Sequence, residues 1–290
     1  MLSRRKNQML AMTLPGILLI AIFVFIPLIN GFRVAFFQWN GYSEKMKFVG
    51  LDNFVKLLSD ERLLRTTINT LIYGFGNCLL QNVLGLAAAL FVNQKFKGRN
   101  AIRAIIYMPV MISMFIMGWV QRYMFSFDNG VFNDIIEIFG FGPVYWLENG
   151  WAGVIIITVV NSVLHCGNCM LIYLAGLQNV PQVYDEAAAI DGAKPLQTFF
   201  KVTLPLLIPS ITTCVVTCLI GGMKLYEIII GLTGGGPNRT SMSLSQYIQL
   251  LYFEDEKAGY AATVGIFMFF LIMILAMPIN RYLRSKEVQM

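Results

Sequence analysis

The sequence predicts an all-α polytopic membrane protein with about six transmembrane helices and an amphipathic helix-turn-helix between the fourth and fifth. Three observations predict it. Of 290 residues, 57% are hydrophobic and 13% charged, and the mean hydropathy is +0.64, too apolar for a soluble domain. Windows of roughly 20 apolar residues, the length that crosses the hydrocarbon core of a bilayer, recur along the chain. The basic residues collect in the short segments between those windows, so the net charge of +6 reads as topology and not as a nucleic-acid surface.

The windows fall at approximately 11–36, 67–92, 104–126, 152–176, 206–231 and 260–280, in a single domain covering 1–290. The start, MLSRRKNQ followed by an apolar run, has the charge order of a signal peptide. The run continues well past that length without a small-residue cleavage site, so it reads as an uncleaved first span. Arg4, Arg5 and Lys6 before it, Lys95, Lys97, Arg99 and Arg103 between spans two and three, and Arg281, Arg284 and Lys286 after span six face the cytoplasm by the positive-inside rule. The segment 128–150 carries Asp128, Asp134, Glu137 and Glu148 but no Lys or Arg, and belongs outside. The first loop balances Lys45, Lys47, Lys56, Arg62 and Arg65 against Glu44, Asp52, Asp60 and Glu61, and lies outside by alternation. Both termini are then cytoplasmic, and so is the loop between spans four and five.

That loop, 184–205, is a charged interruption in a hydrocarbon-like chain. Tyr184 to Ile190 has helix-forming composition, and Asp191-Gly192 suits a left-handed turn. Lys194 to Val202 resumes a helix with Pro195 in its first turn, where a missing N–H costs little. Leu196, Phe199, Phe200 and Thr203 form one apolar face at helical spacing. Pro205 and Pro209 mark entry into span five. Glu186-Ala187-Ala188, Asp191-Gly192-Ala193, Phe199 and Leu204-Pro205 resemble, in identity and spacing, the EAA motif of membrane subunits of binding-protein-dependent ABC importers. The resemblance implies a cytoplasmic coupling segment seated in a cleft of an ATPase, with Glu186 meeting basic residues there and Gly192 permitting the turn.

Loop motifs narrow the resemblance. Phe48-Val49-Gly50-Leu51-Asp52-Asn53-Phe54, Asn69-Thr70, Gly130-Val131-Phe132-Asn133 with Trp146-Leu147, and Leu232-Thr233-Gly234-Gly235-Gly236-Pro237 resemble the maltose-type branch that serves oligosaccharides and related solutes. The glycine run by itself reads as a flexible, sharply turning loop; it lacks the Gly-Lys-Ser/Thr ending of a P-loop. No other nucleotide-binding motif is present, so ATP hydrolysis is expected in another chain. The resemblance implies a second, distinct permease subunit, two ATPase subunits that use ATP and Mg, an extracytoplasmic sugar-binding protein, and a bacterial-type cell membrane. It implies no cofactor in this chain.

Polar side chains at membrane depth are costly and face a cavity or a partner helix. Asn161, His165 and Asn168 stand at i, i+4 and i+7 on span four, while Asn77 and Gln81, with Asn82 adjacent, lie one turn apart on span two. They read either as a solute cavity or as interhelical hydrogen bonding. Gly221-Gly222 loosen span five, and Lys224, Tyr226 and Glu227 after them form a Lys-x-aromatic-acid pattern that resembles the maltose-type branch; the resemblance implies the outer end of the pathway, where Lys224 and Glu227 can neutralise one another at i, i+3. Gln121 and Arg122 read as interfacial anchors. Cys78, Cys166, Cys169, Cys214 and Cys218 all lie in apolar runs and read as packing residues, with no metal-ligand spacing. His165, the only histidine, has no visible co-ligand or triad partner. Three alternatives stay open at this point: an importer of the same architecture for glycerol phosphate or another small polar solute, a secondary carrier, and an intramembrane enzyme. The carrier would need charged coupling residues at mid-membrane, which spans one, two, four and six do not offer; the enzyme would need a nucleophile or metal constellation.

Overall fold

The computed structural model describes residues 12–287, so Arg4, Arg5 and Lys6 lie outside the described part. Helix α1 (Met12–Val34) is followed by a two-stranded antiparallel hairpin, β1 (Phe37–Gln38) and β2 (Lys47–Phe48), and the short α2 (Asp52–Leu57). Then come α3 (Glu61–Asn93), α4 (Arg99–Met111), α5 (Met114–Met124), α6 (Val131–Ile138) and α7 (Gly150–Asn179). The remainder comprises α8 (Gln182–Ile190), α9 (Pro195–Leu206), α10 (Ile208–Met223), α11 (Glu227–Leu232), α12 (Leu244–Phe253) and α13 (Ala258–Arg284). Among the described residues, α1, α3, α7 and α13 are each long and apolar enough to cross a membrane, and the bent pairs α4–α5 and α9–α10 bring the number to six. At about 1.5 Å per residue, the 33 residues of α3 and the 30 of α7 exceed a hydrocarbon core of roughly 30 Å, so their ends project beyond it.

Both bends have local causes. Between α4 and α5 the chain turns by 99°, because Pro109 removes a helical donor and Ile112 and Ser113 adopt extended backbone. The span expected over 104–126 is therefore not one straight helix. Between α9 and α10 the turn is 69°, at Leu207, between Pro205 and Pro209. A second correction concerns span five: the run expected to reach 231 ends at Met223, Tyr226 leaves helical dihedrals at φ −144° and ψ −61°, and α11 is a separate element.

Contacts divide the chain into two compact units, Met1–Leu63 with Tyr247–Phe269, and Leu64–Gln246 with Phe270–Met290. In the first, the amide of Asn53 donates to the carbonyls of Ala35 and Phe37 at 2.8 and 3.1 Å, pinning α2 to the start of the hairpin. Asp60 accepts from the phenols of Tyr247 (2.6 Å) and Tyr260 (2.5 Å) and from the backbone N–H of Arg62 and Leu63, so one carboxylate ties the entry of α3 to α12 and α13. Along α1 the most apolar window has no buried residue, leaving a surface that only lipid or another apolar chain satisfies.

The second unit is built on α3, α7 and α10. Ala89 and Val92, Cys169, Met170, Tyr173 and Leu174, and Leu207, Cys214 and Cys218 form one apolar cluster. Tyr73, Val154, Ile157, Ile228, Ile229 and Leu232 form another, which seats α11. Lipid is as apolar as these side chains, so close packing and interhelical hydrogen bonds hold the helices together more than exclusion from water does. The crossing of α11 over α5 shows it: a Cβ on Gly118 would stand 2.9 Å from the Cα of Gly231, so a side chain at either position would force the helices apart.

Candidate functional site

Helices α3, α7 and α10 enclose a pocket of about 180 Å³. Its polar lining is Gln81 from α3, Asn161, His165 and Asn168 from α7, and Thr217 from α10, with Cys169, Ile172, Cys214 and Cys218 as an apolar wall. The i, i+4, i+7 spacing places the three α7 side chains on one stripe because one face of an α-helix repeats at that interval. The imidazole Nδ1 of His165 lies 3.3 Å from the Asn161 carbonyl; with its proton on Nδ1 it donates there and leaves Nε2 as an acceptor. Among the described residues, none that lines the pocket is an acid, a lysine or an arginine.

Asn77 is wholly buried beside this pocket, outside its lining. Its Oδ1 accepts from Asn161 Nδ2 at 2.6 Å, Ser162 Oγ at 3.0 Å and Gln81 Nε2 at 3.2 Å, while its own Nδ2 donates to the Tyr73 carbonyl at 2.7 Å. The two readings of the polar residues thus divide by position: Asn77 joins α3 to α7, Asn161 both joins them and faces the pocket, and Gln81 bonds within α3 while facing the pocket. The Oδ1 of Asn161, a residue only 3% exposed, has no partner among the described residues. Asn82 accepts from Tyr173 Oη at 2.5 Å, a second interhelical tie, and donates to the Cys78 carbonyl of its own helix at 2.6 Å. Ser162 and Tyr73 were not legible as partners in the sequence, since serine and tyrosine in an apolar run carry no distinctive spacing.

Lys224, Tyr226 and Glu227 fall on the break between α10 and α11, and none lines the pocket. Among the described residues no ion pair joins Lys224 to Glu227, because the helix stops before both and the i, i+3 geometry is lost. The glycine-rich loop turns sharply, with φ of +65° at Gly234 and +89° at Gly235, but it is pinned and not free. Gln246 Nε2 donates to the Gly234 carbonyl, Ser241 Oγ to that of Gly236, and Tyr73 Oη to that of Ser241, at 2.9, 2.7 and 2.6 Å. Arg122 stacks over the Trp119 ring, 5.5 Å from its centroid.

The segment 184–205 forms two helices about a turn. Gly192 has φ +73°, and its N–H and that of Ala193 donate to the carbonyls of Ala189 and Ala188, closing α8. Pro195 opens α9, and the Lys194 N–H donates to Gln197 Oε1 at 2.9 Å in place of a helical partner. From Phe199 to Thr203 the helix widens to π-type winding ahead of Leu204-Pro205. Glu186, Ala187, Asp191 and Gly192 are exposed, Ala188 is buried, and Phe199, Leu204 and Pro205 are half-buried. Ile190 and Leu196 are 86% and 71% exposed, so the segment presents a mixed apolar and charged surface that no other described residue covers at these positions.

Comparison with known proteins fits this geometry. Residues 81–288 match the family described as binding-protein-dependent transport system inner membrane component. The chain is 30% identical over 277 residues to the trehalose/maltose transport system permease protein MalF of Thermococcus litoralis, covering 94% of each. It is also 30% identical over 265 residues to the multiple sugar-binding transport system permease protein MsmF of Streptococcus mutans, covering 90% of this chain and 89% of that one. Among solved structures, a bacterial ABC transporter involved in the import of the acidic polysaccharide alginate contains a chain that superposes with a TM-score of 0.84 at 27% identity, covering 97% of this chain and 96% of that one. The polar pocket between spanning helices and the bent spans are thus those of a membrane permease and not of an enzyme, and the chain belongs to the inner membrane component family of binding-protein-dependent ABC transport systems, whose ATP hydrolysis resides in a separate ATPase.

Proposed function

We propose that this chain is the permease subunit of a sugar importer, forming half of the pathway beside a second, distinct permease and coupling through 184–205 to one of two ATPase subunits that use ATP and Mg. An extracytoplasmic binding protein delivers the solute, and ATP-driven closure of the ATPases moves the coupling segments and reverses the access of the cavity. Both termini face the cytoplasm. The observation that carries the solute class is the neutral lining: Gln81, Asn161, His165 and Asn168 offer donors and acceptors without a charge, as hydroxyl-rich solutes require. A phosphorylated solute calls for Lys or Arg in the lining, and an ion-coupled carrier for an intramembrane charge. The transport systems of the relatives, for trehalose/maltose and for multiple sugars, support the same class.

Within this reading Glu186 makes the charged contact to the ATPase, Gly192 holds the turn, Ala187, Ala188, Asp191 and Phe199 shape the docking face, and Leu204-Pro205 sets the angle into α10. Asn161, His165 and Asn168 meet the solute with Gln81. Asn77 holds that group from behind, and Lys224, Tyr226 and Glu227 lie toward the outer end. The test is uptake into proteoliposomes carrying the complete complex. Labelled oligosaccharide presented with the cognate binding protein should accumulate with ATP, and Asn161→Leu or His165→Leu should reduce it in an assembled complex. Accumulation of glycerol phosphate in place of sugars would overturn the solute class.

A further inference from the structure

The apolar wall of the pocket holds a feature that solute passage leaves unused. Cys169 of α7 and Cys218 of α10 are buried free thiols whose Sγ atoms are 3.2 Å apart, and both line the pocket. Cys169 is backed on its other side by Gly85 of α3, where even a methyl group would collide with its Cβ. The two sulfurs need to approach by only about 1.2 Å to reach the roughly 2.05 Å of a disulfide. Cys214, on the same helix as Cys218, is a further buried thiol beside the pair, with its sulfur 4.0 Å from the Cys169 carbonyl.

We propose that Cys169 and Cys218 are an oxidant-sensitive pair whose disulfide staples α7 to α10 and arrests transport. The consequence for transport rests on reading this pocket as part of the pathway; the chemistry does not. A hydroperoxide supplies the oxidising equivalents. One thiol sulfur attacks a peroxide oxygen, the O–O bond breaks, and the thiol becomes a sulfenic acid while one water leaves, taking up the thiol proton. The second sulfur attacks the sulfenic sulfur, the S–S bond forms and the S–O bond breaks, and hydroxide leaves as water with the second thiol proton. Two thiols and one hydrogen peroxide thus give one disulfide and two waters. The pocket is the route by which so small an oxidant meets otherwise buried thiols.

The position of the pair explains why a single bond would matter. Cys169 lies ten residues before the end of α7 at Asn179, and Cys218 ten residues after the start of α10 at Ile208. The two helices flank the segment 184–205, so the staple would close the same level of both, about 15 Å from that segment. It would fix the angle between the helix entering the segment and the helix leaving it, and would draw α10 onto the pocket.

The experiment uses the complete complex in proteoliposomes, treated with hydrogen peroxide and then with dithiothreitol. Peptide mass spectrometry should find a Cys169–Cys218 crosslink two hydrogens lighter than the reduced pair, uptake should fall in proportion to the crosslinked fraction, and dithiothreitol should restore both. Each variant is compared with itself before and after oxidant. Cys218→Ala and Cys169→Ser should lose the response, while Cys214→Ala should keep it. No crosslink in protein that reacts elsewhere, a crosslink with undiminished transport, or a loss of uptake that persists in Cys218→Ala each overturns the proposal. If reduced protein takes up no oligosaccharide, the solute reading has failed instead; the staple is then read from ATP turnover stimulated by loaded binding protein.

Discussion

Replacing Asn77 by leucine, which is of similar size, is expected to loosen the bundle before it affects solute choice. The wild-type Oδ1 serves three donors at once in a site with no exposed surface. Ser162 Oγ keeps the Thr158 carbonyl at 2.7 Å, so its loss is small. The amides of Gln81 and Asn161 reach the pocket and recover part of their hydrogen bonding from water there. A buried donor left without a partner costs about 1–3 kcal/mol, and single interhelical hydrogen bonds in a membrane average nearer 0.6 kcal/mol. With two donors only partly compensated, we expect a net loss of about 1–3 kcal/mol, or roughly a five- to 150-fold shift in the unfolding equilibrium. The assay is denaturant unfolding of the purified complex in detergent, with uptake measured on the assembled fraction. His165→Leu is the control, since it should reduce uptake with a much smaller change in stability. An unchanged unfolding midpoint for Asn77→Leu together with abolished uptake would refute the division between a helix-joining Asn77 and a solute-facing α7 stripe.

The remaining predictions concern coupling, pH and topology. Gly192→Val should strain the turn by about 1–3 kcal/mol, since φ is +73° and no atom lies within 4 Å of the added Cβ, leaving conformation as the sole source of the cost; normal ATPase co-purification and stimulated turnover in an inserted, abundant protein would remove 184–205 from its coupling role. Glu186→Ala should weaken the same association by about 2–5 kcal/mol if the contact is buried and charge-assisted, partly masked by the second permease. Burial raises the Asp60 carboxyl, but the Tyr247 and Tyr260 phenols and two backbone N–H groups outweigh it and leave the group below its ordinary value. Its contribution to stability should therefore be complete above the unfolded value of about 3.9 and disappear as pH falls through the lower folded one; Asp60→Asn should flatten that acid limb, and an unaltered limb would refute the assignment. For topology, Gly98 and Gly140 both hold positive φ, so cysteines belong at the neighbouring exposed Lys97 and Phe139. An impermeant thiol reagent should label Phe139→Cys and not Lys97→Cys in intact cells, and the reverse pattern would invert the orientation.

The helices that were legible are those in which hydropathy and local backbone agree. The windows 67–92, 152–176 and 260–280 fall within α3, α7 and α13 because no residue inside them forces the chain to turn. The windows 104–126 and 206–231 fall on elements that bend or stop, which hydropathy does not register because it is blind to dihedral angles. Pro109 was visible, but a single proline in an apolar run reads equally as a kink or a break, and extended Ile112 and Ser113 decide it. Gly221-Gly222 hinted at a loosened helix, yet the break comes two residues later. There α11 finds its place on α5 through Gly118 and Gly231, a contact more than a hundred residues apart in sequence.

The same distinction applies to the motifs that made the family recognisable. Asn53 donates to Ala35 and Phe37, and Asn69 to the carbonyls of Thr240 and Met242 at 2.8 and 2.9 Å. Asn133 accepts from the Trp146 indole at 2.8 Å and from the Val144 N–H at 3.1 Å. Each of these asparagines spends its side chain on closing a loop, because irregular backbone at a helix end needs donors and acceptors that its own chain does not supply. Loop motifs of this kind therefore specify the scaffold and are poor witnesses to the solute. The α7 stripe is the better witness. Its side chains close no loop, they share one face at i, i+4 and i+7, and Asn161 retains an acceptor without a partner among the described residues. Discrimination between a neutral sugar and a charged analogue should accordingly follow substitutions at Asn161, His165 and Asn168, while substitutions at Asn53, Asn69 and Asn133 lower the amount of assembled complex and leave the ratio of the two uptake rates unchanged. A change in that ratio on Asn133→Ala, at normal abundance, would show that the loop takes part in selection after all.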